Sequence, residues 1–178
     1  IGSYDGKLYG LDAATGKSVW QYATDNYVHA TPAIWNGVAY FGGCDEYFHG
    51  VRVADGQQVV KLSTDGYTAA SAALDAGVAY YGTFANDVIA VDITARKVKW
   101  RFEDPDRQFP FYSSAAIASG AMVLGGRDKR VHAIDLASGL DSTLADLQIG
   151  KDPNAPPDSA SFLAGQQLRL LEVLAARK

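Results

Sequence analysis

"DGKLYGLDAATGKSVWQY", residues 5–22, reads as a strand, a tight turn and a second strand with a tryptophan near its end. The stretch recurs. Set in register, "GSYDGKLYGLDAATGKSVWQY" from Gly2, "GGCDEYFHGVRVADGQQVVKL" from Gly42 and "GTFANDVIAVDITARKVKWRF" from Gly82 lie 40 residues apart without a gap. A fourth copy, "GGRDKRVHAIDLASGLDSTLA" from Gly125, follows after three extra residues, which the longer connection "EDPDRQFPF" (103–111) absorbs. A fixed period of this length is the mark of a repeat architecture.

Between the copies lies a second recurring unit: "ATPAIWNGVAYFGG" (30–43), "ASAALDAGVAYYGT" (70–83) and "SSAAIASGAMVLGG" (113–126). Small residues lead to an apolar strand, a turn, another apolar strand and a closing Gly. Asn36-Gly37, Ala76-Gly77 and Ser119-Gly120 mark the turn, where positive φ comes most easily to Gly or Asn. Each period thus holds four short strands, in the second copy about 31–35, 38–42, 47–52 and 58–62. Four strands per repeat is the blade of a β-propeller. Helical repeats fail for want of a 3.6-residue apolar stripe, and a β-sandwich would not repeat column by column.

The columns have physical meaning. Leu8, Phe48, Val88 and Val131 share one position, with Gly10, Gly50, Ala90 and Ala133 two residues on; Leu11, Val51, Val91 and Ile134 cover the opposite face. Apolar cover on both faces is what a sheet held between two neighbours requires. Asp12, Asp92 and Asp135 end this strand and can accept turn N–H bonds; Gly16, Gly56 and Gly139 follow. Arg52 and Arg96 break these two columns, so the second and third blades are expected to close less ideally. Trp20 and Trp100 share an outer-strand position suited to wedging against the next blade, with Val60 and Thr143 in the other copies. Trp35 stands in another column, early in a blade, with a core role expected.

The bulk numbers narrow the functional classes. The chain has 178 residues, 48% hydrophobic and 20% charged, an ordinary globular balance. Its net charge of −4 argues against nucleic-acid partners and against attraction to an anionic membrane. No apolar run reaches the roughly 18 residues of a membrane-spanning helix, and no signal segment opens the chain. "IGSYDGK" reads as the middle of a strand, so an upstream part is expected. The single cysteine, Cys44, excludes an internal disulfide and is expected as a small buried thiol.

At the repeat columns the chain resembles the pyrroloquinoline-quinone-like (PQQ-like) β-propeller family. That family's Gly-rich lead, "DGKLYALDAATGK" and Trp are matched almost letter for letter from Asp5 to Gly16 and at Trp20. The resemblance covers about residues 1–143. It implies blade docking for Trp20 and Trp100 and turn roles for Asp12, Asp92 and Asp135, while Val60 and Thr143 depart from the pattern. Some members are quinoprotein dehydrogenases that use the quinone and usually Ca²⁺, the alcohol-oxidising ones with an adjacent Cys pair that Cys44 alone cannot form. Others are non-catalytic, similar to the propeller lipoprotein of the outer-membrane β-barrel assembly machinery, or act as extracytoplasmic sensors. Fold alone does not choose between them.

The chemistry-bearing residues are sparse. Asp45-Glu46 and Asp104-Pro105-Asp106 sit at turns, where solvated carboxylates are expected, and no Asp-x-Asp loop with Ca²⁺ spacing occurs. His49 and His132 share a column with Tyr9 and Ile89, read as a demand for bulk rather than for a metal ligand. His29, at the opening of a blade, is the best functional histidine. "QFPFY" (108–112) is an aromatic stretch in the one long connection, suited to a partner. No catalytic, cofactor-binding or metal residue is assigned.

The expected organisation is an all-β, open, partial propeller of about four four-stranded antiparallel blades over residues 1–146. A Pro- and Asp-rich linker, 147–161, and a C-terminal helix or degenerate fifth blade, 162–178, follow. Rings of this family need about seven or eight blades, so open blades could self-associate. The leading function is a non-catalytic scaffold or sensor with a protein partner and no cofactor, placed by resemblance in the periplasm or another extracytoplasmic compartment. The alternative is a fragment of a PQQ- and Ca²⁺-dependent alcohol or sugar dehydrogenase whose catalytic residues lie outside this chain. A ligand- or carbohydrate-binding propeller is a third class.

Overall fold

A computed structural model describes residues 1–142 and 145–146. Among the described residues every regular element is a strand, arranged in four antiparallel sheets. The first sheet pairs β1 (Lys7–Leu11) with β2 (Ser18–Ala23). The second runs β3 (Ala33–Trp35), β4 (Val38–Gly42), β5 (Tyr47–Arg52), β6 (Gln58–Ser63). The third runs β7 (Ala73–Asp75), β8 (Val78–Gly82), β9 (Asp87–Asp92), β10 (Lys97–Glu103). The fourth runs β11 (Ala116–Ala118), β12 (Ala121–Gly125), β13 (Arg130–Asp135), β14 (Ala145–Asp146). Each sheet pairs its strands in chain order, as blades do. The open partial propeller stands, with one difference: the first sheet has two strands rather than four. A Gly2–Leu8 bridge starts a third, in the register that Gly42 and Phe48 hold in the second sheet. Thr143, the linker at 147–161 and the segment 162–178 lie outside the described residues.

The turns follow their chemistry. Asn36-Gly37, Ala76-Gly77 and Ser119-Gly120 all take positive φ at both positions, the hairpin geometry that matches strand twist. The Asp12 carboxylate accepts the Thr15 N–H at 2.7 Å, Asp92 that of Ala95 at 2.7 Å, and Asp135 that of Ser138 at 2.8 Å. The two Arg substitutions do not loosen their blades. At Arg52 the backbone still accepts Gly56 N–H at 2.9 Å while Asp55 takes the capping role on Gln57. Arg96 adopts φ of 52°, close to the 69° of Gly16.

The second and third sheets bury both faces, and the columns say against what. Leu8 is buried with Ala39, Phe41 and Val51 of the second sheet. Phe48 and Val60 join Ala79, Tyr81, Ile89 and Val91 of the third, and Val88 and Ala90 join Met122, Leu124 and Ile134 of the fourth. Full burial of one such large side chain is worth about 1.5–3 kcal/mol. Leu11 is 46% exposed, because no described sheet covers that side of the first. Near the axis the inner strands are tied in series. Thr31 N–H donates to Ser71 Oγ at 3.0 Å and Ser71 N–H to Ser114 Oγ at 3.4 Å.

Trp20 explains the small-residue column beside it. A register shift in the β1–β2 pair falls just before it, and equivalent shifts occur in the β5–β6 and β9–β10 pairs. The bulge re-aims the following side chain. Trp20 pairs with Gly10, where a Cβ would lie 2.2 Å from the indole. Its other side meets Gly56 of the next sheet, where a Cβ would lie 2.8 Å away, and its Nε1–H donates to the Val53 carbonyl at 2.7 Å. Trp100 repeats the arrangement over Ala90, with Gly139 and the Leu136 carbonyl (3.1 Å) of the fourth sheet. Trp35 also reaches forward, to the Gly77 turn of the third sheet, and packs on Tyr40.

Candidate functional site

One end of the stack gathers the turns between second and third strands and the connections between sheets. Here the carboxylates and histidines behave differently from their sequence reading. Asp45 is not solvated: its side chain is 2% exposed and holds His49 Nε2 at 3.0 Å, while Glu46 is exposed at the turn's positive φ. Asp128 is likewise buried and meets His132 Nε2 at 3.0 Å. In the first sheet the same spacing joins Asp5 to the Tyr9 hydroxyl at 2.5 Å. The histidine column therefore selects a partner for the acid four residues earlier, not bulk. In the third sheet Ala85 stands in place of the acid and Ile89 in place of the ring, so both members of the pair are lost together.

Both rings are fully buried and both ring nitrogens are engaged. His49 Nδ1 lies 3.0 Å from the Tyr22 hydroxyl of the preceding sheet, and Phe41 stacks on the ring at 4.9 Å. His132 Nδ1 lies 2.9 Å from Asp141, with Phe102 and Phe111 against the ring. Burial opposes a charge on His132, but Asp141 and Asp128 outweigh it and hold its pKa above the ordinary value. For Asp45, burial favours the neutral acid; the bond to His49 overrides it and draws the pKa down. Neither ring keeps a nitrogen for a metal or a substrate proton. Each acid fixes its ring within its own sheet, and the rings then meet the preceding sheet, His49 through the Tyr22 hydroxyl and His132 through Phe102.

The remaining candidates are similarly placed. Asp104 is buried, accepting the N–H groups of Asp106 (2.9 Å) and Arg107 (3.1 Å) and an Arg130 N–H at 3.1 Å, whereas Asp106 is exposed. Cys44 is half-buried, its Sγ 3.4 Å from the Thr68 carbonyl, and burial raises its pKa, which disfavours the reactive thiolate. His29 is exposed against the Tyr4 ring. Among the described residues no three His, Cys, Asp or Glu side chains gather as a metal group would need. An apolar cleft of about 460 Å³ opens between the first two sheets, lined by Leu8, Leu11, Trp20, Pro32, Ile34 and Ala39.

What this end does present is aromatic. "QFPFY" divides: Phe111 is 1% exposed and belongs to the core, Phe109 is 45% exposed, and Tyr112 joins a stack. Tyr67 stacks on Phe84 at 4.9 Å and 15°, and Phe84 on Tyr112 at 5.0 Å and 20°. The Arg127 guanidinium lies 5.5 Å over Tyr112. Tyr67, Phe84, Tyr112 and Arg127 come from four successive loops of the second to fourth sheets, so only the fold brings them together. A second pair, Tyr4 and Tyr27, stands at 5.2 Å beside His29.

Comparison with known proteins fits this geometry. The chain is similar in structure to BamB from Moraxella catarrhalis (TM-score 0.65, 20% identity, 78% of this chain and 43% of that one). A computationally designed protein, Ika8, gives TM-score 0.66 at 15% identity over 79% of this chain and 43% of that one. Quinohemoprotein alcohol dehydrogenase from Comamonas testosteroni gives 0.65 at 15% identity, over 76% and 31%. The chain thus spans less than half the length of each. No curated protein matches by sequence. The family model described as outer membrane protein assembly factor BamB matches residues 1–154, and the chain belongs to that PQQ-like propeller family.

Proposed function

We propose that the chain is a non-catalytic propeller scaffold or sensor module that holds a protein partner on its loop face. The observation that carries this is the stack of Tyr67, Phe84 and Tyr112 standing on the loops, while the buried histidines are committed to carboxylates within their own sheets. Aromatic side chains on a rigid frame, here Tyr67 at 46% exposure with Phe84 and Tyr112 partly buried beside it, are characteristic anchors of protein interfaces. The assembly-factor description of the matching family supports the same reading, and with it a periplasmic or other extracytoplasmic setting.

A second reading, part of a PQQ-dependent alcohol or sugar dehydrogenase, is favoured by the fold shared with the quinohemoprotein. The described residues do not fit its Ca²⁺, which takes roughly six to eight oxygen ligands: Asp45 is committed to His49 and Asp104 to Arg130. Under that reading quinone and metal would be held by residues outside this chain. Titrating the full-length protein with PQQ and Ca²⁺, then following dye reduction with alcohols and sugars, separates the two. No saturable turnover is expected; turnover would overturn the scaffold.

A further inference from the structure

Resting on the scaffold reading, we propose that the Tyr67–Phe84–Tyr112 ladder docks an extended apolar peptide segment of the partner, with an acidic end over Arg127 and Lys129. The ladder's rings already cover one another's faces, at 15° and 20° between planes. Along the flank of the ladder a partner meets tyrosine hydroxyls and ring edges, the edges being the electropositive rim of the aromatic quadrupole. A peptide offers carbonyl oxygens to the edges and aliphatic side chains to the spaces between them. Two steps of about 5 Å match roughly three residues of extended chain at ~3.3 Å each.

The ladder is also held in place before any partner arrives. Phe84 N–H donates to the Tyr67 carbonyl at 3.0 Å, Phe111 N–H to Thr83 at 2.9 Å, and Thr68 Oγ1 to Gly82 at 2.6 Å. Binding therefore orders little new backbone. Charge gives the direction. Exposed Arg127 and Lys129 share the turn at the fourth-sheet end, while exposed Asp65 and Glu46 belong to turns at the second-sheet end. A segment with its carboxylates at the first end and none at the second is complementary; the reversed arrangement places like charges together.

The test uses the full chain and two labelled synthetic peptides of alternating leucine and proline, one ending in two aspartates and the other in two lysines. Fluorescence anisotropy is expected to show the aspartate-ended peptide bound at least about tenfold more tightly. Tyr112→Ser should weaken it by about fivefold or more, with Trp20 and Trp100 emission unchanged as the sign of an intact fold. Arg127→Glu with Lys129→Glu should invert the preference. No binding, equal binding, or a preference that survives charge reversal overturns the proposal. None of those results touches the scaffold reading, which falls by quinone turnover instead.

Discussion

The interface between the second and third sheets is built differently from the two that flank it. At the flanks a tryptophan lies against a glycine of the next turn, Trp20 on Gly56 and Trp100 on Gly139, and a buried histidine is bonded to an acid. In the middle both devices are gone. Val60 stands in the tryptophan column and Arg96 in the glycine column, while Ala85 and Ile89 replace the acid and histidine. The interface is filled instead by Tyr40, Phe48, Val60, Tyr81, Ile89 and Ile93. Arg96 acts on Tyr40, offsetting part of the rise that burial imposes on its phenol. Substitutions that look like damage one column at a time are matched pairs across a sheet boundary.

The largest break in this comparison should come from Gly139→Val. A Cβ there would lie 2.8 Å from the Trp100 ring, at φ of 73°. Urea unfolding should show a loss of about 3 kcal/mol or more, and a loss under 1 kcal/mol would mean the dock does not hold the fourth sheet. Next is a transplant. Val60→Trp alone should cost about 2 kcal/mol, and Arg96→Gly added to it should recover at least about 1 kcal/mol. Strict additivity in that double-mutant cycle would show that the two columns are not coupled.

A smaller effect belongs to pH. His132 has its folded pKa raised above the free value of 6.5, so its stabilisation is complete below that value and is lost as pH rises through the folded pKa. Thermal midpoints should fall on the alkaline side of 6.5, and His132→Gln should flatten that fall; an unchanged slope would show that the ionised pair does not stabilise the fold. The smallest expected change is a gain. Ala76 holds φ of 45°, so Ala76→Asn should stabilise by about 0.5–1 kcal/mol, as Asn36 does natively in the equivalent turn. A loss instead would show that this turn is set by Trp35 packing on Gly77.

The fold was legible because blade turns need particular residues at fixed places, and those residues recur 40 positions apart, as Gly16 and Gly56 do in one turn and Gly37 and Gly77 in another. Strands read at 38–42 and 47–52 are found there. The acid–histidine pairs were not legible, because an Asp at a turn is ordinarily solvated. Reading Asp45 and Asp128 as buried requires knowing that the histidines they hold are covered by the preceding sheet, His49 by Tyr22 and His132 by Phe102. The signal was present all the same: acid and ring four residues apart in three copies, and both lost together in the other. The aromatic ladder lies further from reach, since its members come from separate loops and occupy no single column.

The hydroxyl ties near the axis give the stack a sense. Thr31 gives its amide proton to Ser71, and Ser71 gives its own to Ser114. Every link points the same way, so the sheets are threaded like beads with a hook on one side and an eye on the other. A sheet extending the series past Ser114 would continue it by offering a hydroxyl to that amide, and one before Thr31 by offering an amide. Donor and acceptor thus give the stack a polarity along the series that the apolar faces do not themselves carry.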